Sequence, residues 1–360
     1  MPMNKNQSTI QDVAKAANVS IGTVDRVLHN RGRVSKVKET AILAAIEALD
    51  YKPSPIASAL AARKGNIKIG ITYPNVETEF WAEVSGGIER ARVELLPFGV
   101  ELIVEFTKSY DSTDQQKSIE NIKNKGISGL VLTPVADTSA DFLERAIGGN
   151  IPYVTVVDDV LQSNRIFHIG PDDFALGVLA AKLASLYNRS QSNAIILSAN
   201  ANFSGTQQRI SGFMSKIKQD SLDINILRIC PITGESEEEY YTNIYNMALN
   251  CIADYSSLNT FYVTNGLTEW AAAAAKKAGK GDDFVIIGHE YTSGVRSFLE
   301  SGLVGATIYQ NPSQQWYLAI RMLYNYLSGN LILKNRVFTT DCSILMKETL
   351  PLIKFEGSSF

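Results

Sequence analysis

Hydrophobic and polar positions change their period once along the chain, near residue 65. Before this point apolar residues recur at helical spacing, as Val24, Val27 and Leu28 do. From Ile67 onward, short runs rich in β-branched residues alternate with amphipathic stretches, which is typical of parallel sheets covered by helices. The pattern predicts an all-α head followed by an α/β body with doubly wound parallel sheets in two lobes.

The head is predicted to contain three helices. Thr9 begins the first, and Asp12 three residues later favours the positive helix end. A turn over residues 18–20 leads to a second helix near 21–29, and a cap at Ser35 begins a third. Two short helices with a tight turn, braced by a third, form a helix-turn-helix. The alternative is a three-helix bundle of another kind.

Apolar spacing also predicts the inner face of the third helix, with Val37, Ile42 and Ala45 among its members. The charges divide in the same place as the pattern. Residues 1–65 hold ten Lys and Arg against five Asp and Glu, a net charge of +5, and the remainder carries −8. A basic head on an acidic body indicates that only the head binds a polyanion.

In a helix-turn-helix the second helix lies in the major groove with its N-terminal residues against base edges. Arg26 is the strongest candidate for base recognition, because a guanidinium can donate to two acceptors of guanine. Ile21 is placed to touch a thymine methyl, and Gly22 brings the backbone close to DNA. The candidate phosphate contacts are Thr9, Ser20, Thr23, Arg33, Ser35 and Lys38.

Two residues of the second helix allow two interpretations each. His29 either reaches a phosphate or is solvated. Asp25 either accepts from a cytosine amino group or pairs with Arg26 or Arg31. Pairing is favoured, because phosphate repels a carboxylate that faces DNA.

Residues 53–65 combine a helix start, Ser54-Pro55, with good helix propensity. A helix of this length is too short to be stable alone in water, so we expect it to fold only on a partner or on DNA.

The segments TIQDVAKAANVSIGTVDRVLHN and YKPSPIASALAARK resemble the DNA-binding head and hinge of LacI/GalR-family transcription regulators. The resemblance implies a homodimer on a pseudo-palindromic operator, with paired hinge helices in the minor groove. Leu60 matches the wedge that opens the central base step, and Ala57 lies beside it in the family's pattern. Gly22 and Asp25 depart from that pattern, so the resemblance does not specify the operator sequence.

Polar and aromatic residues follow the predicted strands of the body. Ligands of such sheets bind beyond the carboxyl ends of the strands, and two facing lobes turn this edge into a cleft. Planar polar groups orient hydroxyls, while rings cover C–H faces. Taken singly, the aromatics suit a core and the aspartates a turn. Taken together, we expect ligand contacts from Tyr73, Phe80, Trp81, Asp137, Asp158, Arg209, Asn265, Glu290 and Gln310.

The body also resembles the type-1 periplasmic sugar-binding fold of the same family. EFWAEVSGGIERA is similar to the stretch whose aromatics stack on a sugar, and VTVVDD, TQQRISGF, VTNGLTE, IIGHEYT and ATIYQNP match other strand ends. Glu290 replaces a usual aspartate, and Asp159 stands where an arginine is frequent. The resemblance implies three crossings between lobes, near 169–171, 306–310 and 328–332.

The chain is expected to divide into four units. These are a DNA-binding domain (1–52), a hinge (53–65), a sensor N-lobe (66–170 plus 309–330) and a sensor C-lobe (171–308 plus 331–360).

Motifs of catalysis are absent from the sequence. It has no G-x-x-x-x-G-K-[ST] loop, no G-x-G-x-x-G after a strand and no C-x-x-C among its three cysteines. We therefore expect no cofactor, no metal and no enzymatic activity, against the alternatives of an enzyme or a secreted solute binder. A polar N-terminus and the lack of a run of about 18 apolar residues favour a cytoplasmic protein with no membrane partner.

Together these features predict a ligand-responsive, sequence-specific DNA-binding transcription regulator, a repressor that senses a sugar-like molecule in the cleft between the lobes. Whether the ligand releases or promotes DNA binding is left open. The tail shows no sustained heptad, which favours a dimer over a tetramer.

Overall fold

A computed structural model describes residues 8–28, 34–49, 51, 67–74, 79–107, 110–135, 138–187, 191–199, 203–234, 236–281 and 283–352. Its head contains three helices, α1 (Ile10–Ala16), α2 (Ile21–Leu28) and α3 (Lys36–Ala48). This agrees with the predicted helix-turn-helix.

Local chemistry explains where the first helix begins. Thr9 Oγ1 accepts from the backbone N–H of Asp12 at 3.3 Å, and the Asp12 carboxylate accepts from the Thr9 N–H at 2.8 Å. This reciprocal pair satisfies two N–H groups that the helix leaves free. It also lowers the pKa of Asp12, mainly through the backbone hydrogen bond from Thr9. In the turn that follows, Asn18 has a left-handed φ of 52°.

The three helices enclose a small core that includes Val13, Val24, Leu28 and Ile42. The prediction for Val37 is wrong, because this side chain is 81% exposed. It lies in the first turn of α3, which extends beyond the small core.

The first lobe is built on a six-stranded sheet in which all neighbouring strands are parallel. Helices cover both faces of this sheet, and each face has its own apolar core. In chain order its first elements are β1 (Lys68–Pro74), α4 (Glu79–Leu95), β2 (Glu101–Thr107), α5 (Ser112–Asn124), β3 (Gly129–Leu132), α6 (Ala140–Ile147), β4 (Tyr153–Val156) and β5 (His168–Gly170).

The second lobe repeats this plan, with five parallel strands and one antiparallel strand at the edge. Two further apolar cores lie on its two faces. Its elements are α7 (Asp173–Tyr187), β6 (Ser192–Ala199), α8 (Ser204–Gln219), β7 (Ile224–Ile232), α9 (Glu237–Asp254), β8 (Thr260–Val263), α10 (Thr268–Lys277), β9 (Val285–His289), α11 (Ser293–Ser301) and β10 (Val304–Tyr309). The doubly wound α/β prediction is confirmed.

The end of the described chain returns to both lobes. Helix α12 (Pro312–Leu327) packs on α4 in the first lobe, β11 (Val337–Thr339) pairs in parallel with β5, and β12 (Ser343–Leu345) pairs with β10. The third crossing therefore lies at 340–342, about ten residues beyond the expected 328–332, and residues 337–339 lie with the first sheet. The backbone hydrogen bond from His168 N to Arg336 O at 2.9 Å helps hold the chain there.

Two adjacent glycines test the packing of α4 on α12. A Cβ on Gly87 would lie 2.1 Å from the backbone oxygen of Ser313, whereas a Cβ on Gly86 would come no closer than 3.9 Å to the Ser313 hydroxyl. We expect Gly87→Ala to lower the free energy of unfolding by about 1–3 kcal/mol, because backbone must move. Gly86→Ala should leave it unchanged or raise it by up to about 1 kcal/mol. Urea denaturation followed by circular dichroism measures both, and equal effects would contradict this packing.

Candidate functional site: the cleft between the lobes and the surface of the head

The cleft brings together side chains that follow strands of both sheets. Asp158 comes after β4 in the first lobe, while Asn265, Glu290 and Gln310 come after β8, β9 and β10 in the second. Arg209 reaches the same region from α8. This is the edge at which the strand-end argument places the ligand residues, although their roles in binding stay predictions.

Asp158 bridges the two lobes. Its Oδ1 accepts from the Ser204 hydroxyl at 2.8 Å, from the Gly205 N–H at 3.2 Å and from the Asp159 N–H at 3.0 Å. Ser204 and Gly205 form the first turn of α8, where the helix dipole favours a negative charge. Burial nevertheless raises the pKa of Asp158 to about 6, and the nearby Asp173 carboxylate raises it further, while the bond from Ser204 acts in the opposite direction.

Two of the three guanidinium nitrogens of Arg209 donate hydrogen bonds within the second lobe. Its Nε donates to Asp173 Oδ1 at 2.7 Å and its Nη1 donates to the Thr264 carbonyl at 2.8 Å. The side chains of both charged residues are about 9% exposed. Asp173 was not among the residues predicted from the sequence. It follows β5 as the other candidates follow their strands, so its position along the chain pointed to the same edge.

Close backbone packing fixes the position of Arg209. A Cβ on Gly177 in α7 would lie 1.9 Å from the Arg209 carbonyl oxygen. Helices α7 and α8 therefore approach closely only because this position has no side chain.

Glu290 lies at a left-handed φ of 67° directly after β9. Its carboxylate accepts from Gln310 Nε2, and Gln315 Nε2 in turn donates to the Gln310 carbonyl at 2.9 Å. Burial raises the pKa of Glu290 to about 7, Arg209 lowers it, and the Glu83 carboxylate raises it again. Burial and a short hydrogen-bond chain thus hold an acid between α12 and the second sheet.

Three aromatic side chains pack together in the first lobe where β1 ends and α4 begins. The rings of Tyr73 and Trp81 stack with centroids 5.4 Å apart, and Phe80 meets Trp81 edge-on at 4.9 Å. Tyr73 is 1% exposed and belongs to the core of this lobe. Trp81 Nε1 donates to the Tyr110 hydroxyl at 3.3 Å, which was not foreseen from the sequence.

Two acids on α4 also reach across the cleft. The Glu79 carboxylate accepts from the N–H and the hydroxyl of Ser293 at the start of α11, and Glu83 Oε2 accepts from the Tyr309 hydroxyl at 2.5 Å. Burial raises the pKa of Glu83, and Glu79 adds to this effect. Their spacing of four residues places them on one face of α4, a signal that the sequence analysis did not use.

Asn265 and Asp159 support the backbone around the site. Asn265 Oδ1 accepts from the Leu267 N–H at 3.3 Å, in the turn that precedes α10. Asp159 forms two hydrogen bonds with the Arg165 guanidinium. Burial raises the pKa of Asp159, but the hydrogen bond from Arg165 lowers it, and the pKa stays below its ordinary value. Asp137 lies outside the described residues.

The helix-turn-helix residues form an exposed surface. Ile21 is 45% exposed, Gly22 and Arg26 are exposed, and Thr23 and Asp25 are half-buried. The Ser20 hydroxyl accepts from the Thr23 N–H at 3.2 Å and so caps α2. Of the remaining candidates, Thr9, Ser35 and Lys38 are exposed. Ser35 holds the N-cap position of α3 without a side-chain capping bond.

The hinge and four candidate DNA contacts lie outside the described residues: 53–65, His29, Arg33, Ala57 and Leu60.

Within the ranges that the structure describes, no three His, Cys, Asp or Glu side chains are grouped to hold a metal ion. None of the helices in those ranges has the length and apolar character needed to span a membrane.

A helix-turn-helix joined to a two-lobed core with a charged cleft defines a DNA-binding regulator with a ligand-binding core. Residues 9–54 match the lacI family of bacterial regulatory proteins, and residues 69–331 match the periplasmic binding protein domain. The chain therefore joins a DNA-binding domain of the lacI family to a core that belongs to the periplasmic binding protein domain family, and the resemblance proposed from the sequence is confirmed.

Several relatives are transcription regulators. The chain is 27% identical to the ribose operon repressor of Bacillus subtilis (strain 168) over 287 residues, which is 79% of this chain and 81% of that protein. It is 26% identical to the HTH-type transcriptional repressor PurR of Histophilus somni (strain 2336), over 89% of this chain and 92% of that protein. The match to the regulator DegA of Bacillus subtilis (strain 168), at 29% identity, spans 61% of this chain and 63% of that protein.

The core has the fold of a sugar-binding protein. A glucose-galactose binding protein, GanP from Geobacillus stearothermophilus, superimposes with a TM-score of 0.71 at 21% sequence identity. The match covers 79% of this chain and 99% of GanP, so it shows the fold of the core.

The pKa of Glu290 generates a prediction about stability. Because burial raises this pKa above its ordinary value of 4.5 to about 7, ionisation of the folded protein lowers the free energy of unfolding as pH rises through this window. Glu290→Gln keeps an acceptor for Gln310 and removes the charge. We expect it to raise the free energy of unfolding by about 1–3 kcal/mol at pH 8, with the gain vanishing near pH 4.5.

Urea denaturation at a series of pH values measures this difference. The exposed Glu120→Gln on α5 is the control and should show no such dependence. A constant difference between wild type and Glu290→Gln across the series would contradict the prediction.

Proposed function

We propose that this protein is a ligand-controlled repressor: the head binds operator DNA, and a sugar-like effector in the cleft changes the affinity for that DNA. The observation that carries this proposal is the bridge from Asp158 to the first turn of α8, since a ligand at the strand ends must act on the contacts that set the spacing of the lobes. The relatives named as ribose operon repressor and PurR support the repressor assignment.

The effector is proposed to be a sugar or a sugar derivative. The cleft offers carboxylates, amides and one guanidinium beside aromatic rings, which together match a ring with several hydroxyls. The glucose-galactose binding protein GanP shares the fold of the core and supports this class of ligand. The proposed contacts are Tyr73, Phe80, Trp81, Asp137, Asp158, Arg209, Asn265, Glu290 and Gln310.

The regulator is proposed to act as a homodimer on a pseudo-palindromic operator. The two sheets end in the strands β2 and β7, which carry the half-exposed Phe106 and Ile229. Unpaired strand edges with apolar side chains favour association with a second copy. Two heads in a dimer would place their recognition helices about 34–36 Å apart, one turn of DNA.

Coupling between ligand and DNA follows from the hinge, residues 53–65, which joins the head to the first lobe. A change in lobe spacing would alter the pairing of two hinges, with Leu60 and Ala57 in the minor groove. The effector changes operator affinity by its differential binding to two states, typically about 1–3 kcal/mol. We further propose a cytoplasmic protein that does not turn over its ligand.

Titration of labelled operator duplex in the presence of sugars tests the whole proposal. We expect one class of sugar to shift the operator dissociation constant by about 5–150-fold, and the direction of the shift identifies an inducer or a co-repressor. Absence of specific duplex binding in a genomic selection, with or without sugar, would refute the function.

Arg26→Ala tests base recognition. We expect it to relax base preference at one position of each half-site, at a cost of about 1–3 kcal/mol, because a bidentate contact to guanine is lost. Lys38→Ala is the matched control: as a phosphate contact it should weaken all duplexes alike and lower the salt slope by about 1. Competition binding against single-base operator variants measures both, and an unchanged preference in Arg26→Ala would exclude that role.

Asp158→Asn tests the ligand site. The variant keeps an oxygen for Ser204 and removes the charge, so operator binding without ligand should stay close to wild type. Ligand affinity should fall by about 10–100-fold, the usual effect of losing a hydrogen bond to a charged group. Calorimetry measures the affinity, with the exposed Asp141→Asn as control. Undiminished affinity in Asp158→Asn would show that the ligand binds elsewhere.

A further inference from the structure

Negative charge exceeds positive charge in the cleft. Four carboxylates, those of Glu83, Asp158, Asp173 and Glu290, are linked by electrostatic repulsion: Asp173 acts on Asp158 and on Glu290, and Glu83 acts on Glu290. The one guanidinium that the described residues place among them is that of Arg209. We call these four carboxylates the acid cluster.

Arg209 forms an ion pair with one member of the acid cluster, Asp173. Its Nε is 2.7 Å from Asp173 Oδ1, and its Nη1 donates to the Thr264 carbonyl. Glu83, Asp158 and Glu290 therefore form no ion pair of their own within the described part of the chain.

In each of these three carboxylates, one oxygen accepts hydrogen bonds from the described protein and the other does not. Asp158 Oδ1, Glu290 Oε1 and Glu83 Oε2 accept hydrogen bonds from within the protein. Among the described residues, no hydrogen bond or ion pair reaches the second oxygen of any of the three. An additional acceptor lies beside them, because Gln315 Oε1 is buried without a partner in the described chain, and its amide contacts Gln310.

The neighbouring Asp159 shows what a counter-ion does at this point of the chain. Paired with Arg165, it has a pKa below the ordinary value, whereas burial raises the pKa of Asp158 to about 6. Burial likewise raises the pKa of Glu290 to about 7, with Glu83 and Asp173 adding to the shift. Within the described residues the acid cluster therefore has fewer cations and hydrogen-bond donors than it has carboxylate oxygens, and a cationic ligand would supply both.

We propose that the effector is an amino sugar, whose protonated amino group lies against Glu83 and Glu290 while its hydroxyls contact Asp158 and Nη2 of Arg209. This rests on the proposed function and specifies the charge of the ligand. An ammonium supplies three donors and one positive charge, which match the unused oxygens of the acid cluster. A sugar acid or sugar phosphate would bring further negative charge to buried carboxylates, so we expect it to bind more weakly.

A charge-matched ligand panel tests the proposal with the full-length protein. The panel pairs each neutral sugar with its amino and acidic forms: glucose with glucosamine and glucuronate, galactose with galactosamine and galacturonate, and glucose with glucose 6-phosphate. Intrinsic tryptophan fluorescence and thermal unfolding report binding. We expect an amino member to bind about tenfold or more tighter than its neutral counterpart, and the acidic members and the phosphate to bind weakest.

The outcomes separate the two proposals. If a neutral or an acidic member binds as tightly as its amino counterpart, a sugar-binding function stands and the amino sugar is refuted. If no member of any charge class binds, the sugar-binding function fails, and the inference fails with it.

Substitutions test whether Glu83 and Glu290 produce the preference for an amino sugar. Glu290→Gln and Glu83→Gln should each reduce the ratio of amino-sugar affinity to neutral-sugar affinity by about tenfold, because each removes a negative charge that attracts the ammonium. The exposed Glu89→Gln on the same helix should leave the preference intact. Equal loss of both ligands in Glu290→Gln and Glu83→Gln would indicate a merely structural role and overturn the assignment.

Discussion

The core depends on one contact that spans its two lobes. Asp158 Oδ1, in the first lobe, accepts hydrogen bonds from Ser204 and Gly205 at the start of α8 in the second. A helix N-terminus carries partial positive charge, so it favours an ionised carboxylate. Burial opposes that ionisation and raises the pKa of Asp158 to about 6. The bridge is thus held between two opposing effects, and such a contact responds readily to a ligand that changes its surroundings.

Local chemistry and sheet geometry made much of the molecule predictable. The helix start at Thr9 depends on residues three positions apart, and the strand-end rule placed Asp158 and Glu290 in the cleft because parallel strands all end at one edge. The sequence analysis missed Glu83, because its partner is on the other lobe and only tertiary structure decides which helix face meets it. Val37 fits the inner face by spacing, yet the core ends before it.

The position of the third crossing between the lobes could not be predicted from the sequence. A strand of three residues, Val337–Thr339, is too short to show a period, and its place depends on a vacant edge beside β5. The assignment of the ligand residues also goes beyond the pattern. The sequence indicates which side chains follow strands. The hydrogen bonds that those side chains form within the protein decide which of their atoms remain for a ligand, and the two oxygens of Glu290 are an example.

The return of α12 and β11 to the first sheet has a consequence for synthesis of the chain. A ribosome makes all of the second lobe except β12 before it makes the helix and strand that complete the first. The first sheet is therefore incomplete until residue 339 has emerged, and the second until residue 345. The three helices of the head contact one another over fewer than fifty residues and need no such wait. During translation the helix-turn-helix head can therefore be folded while the two-lobed core is still incomplete.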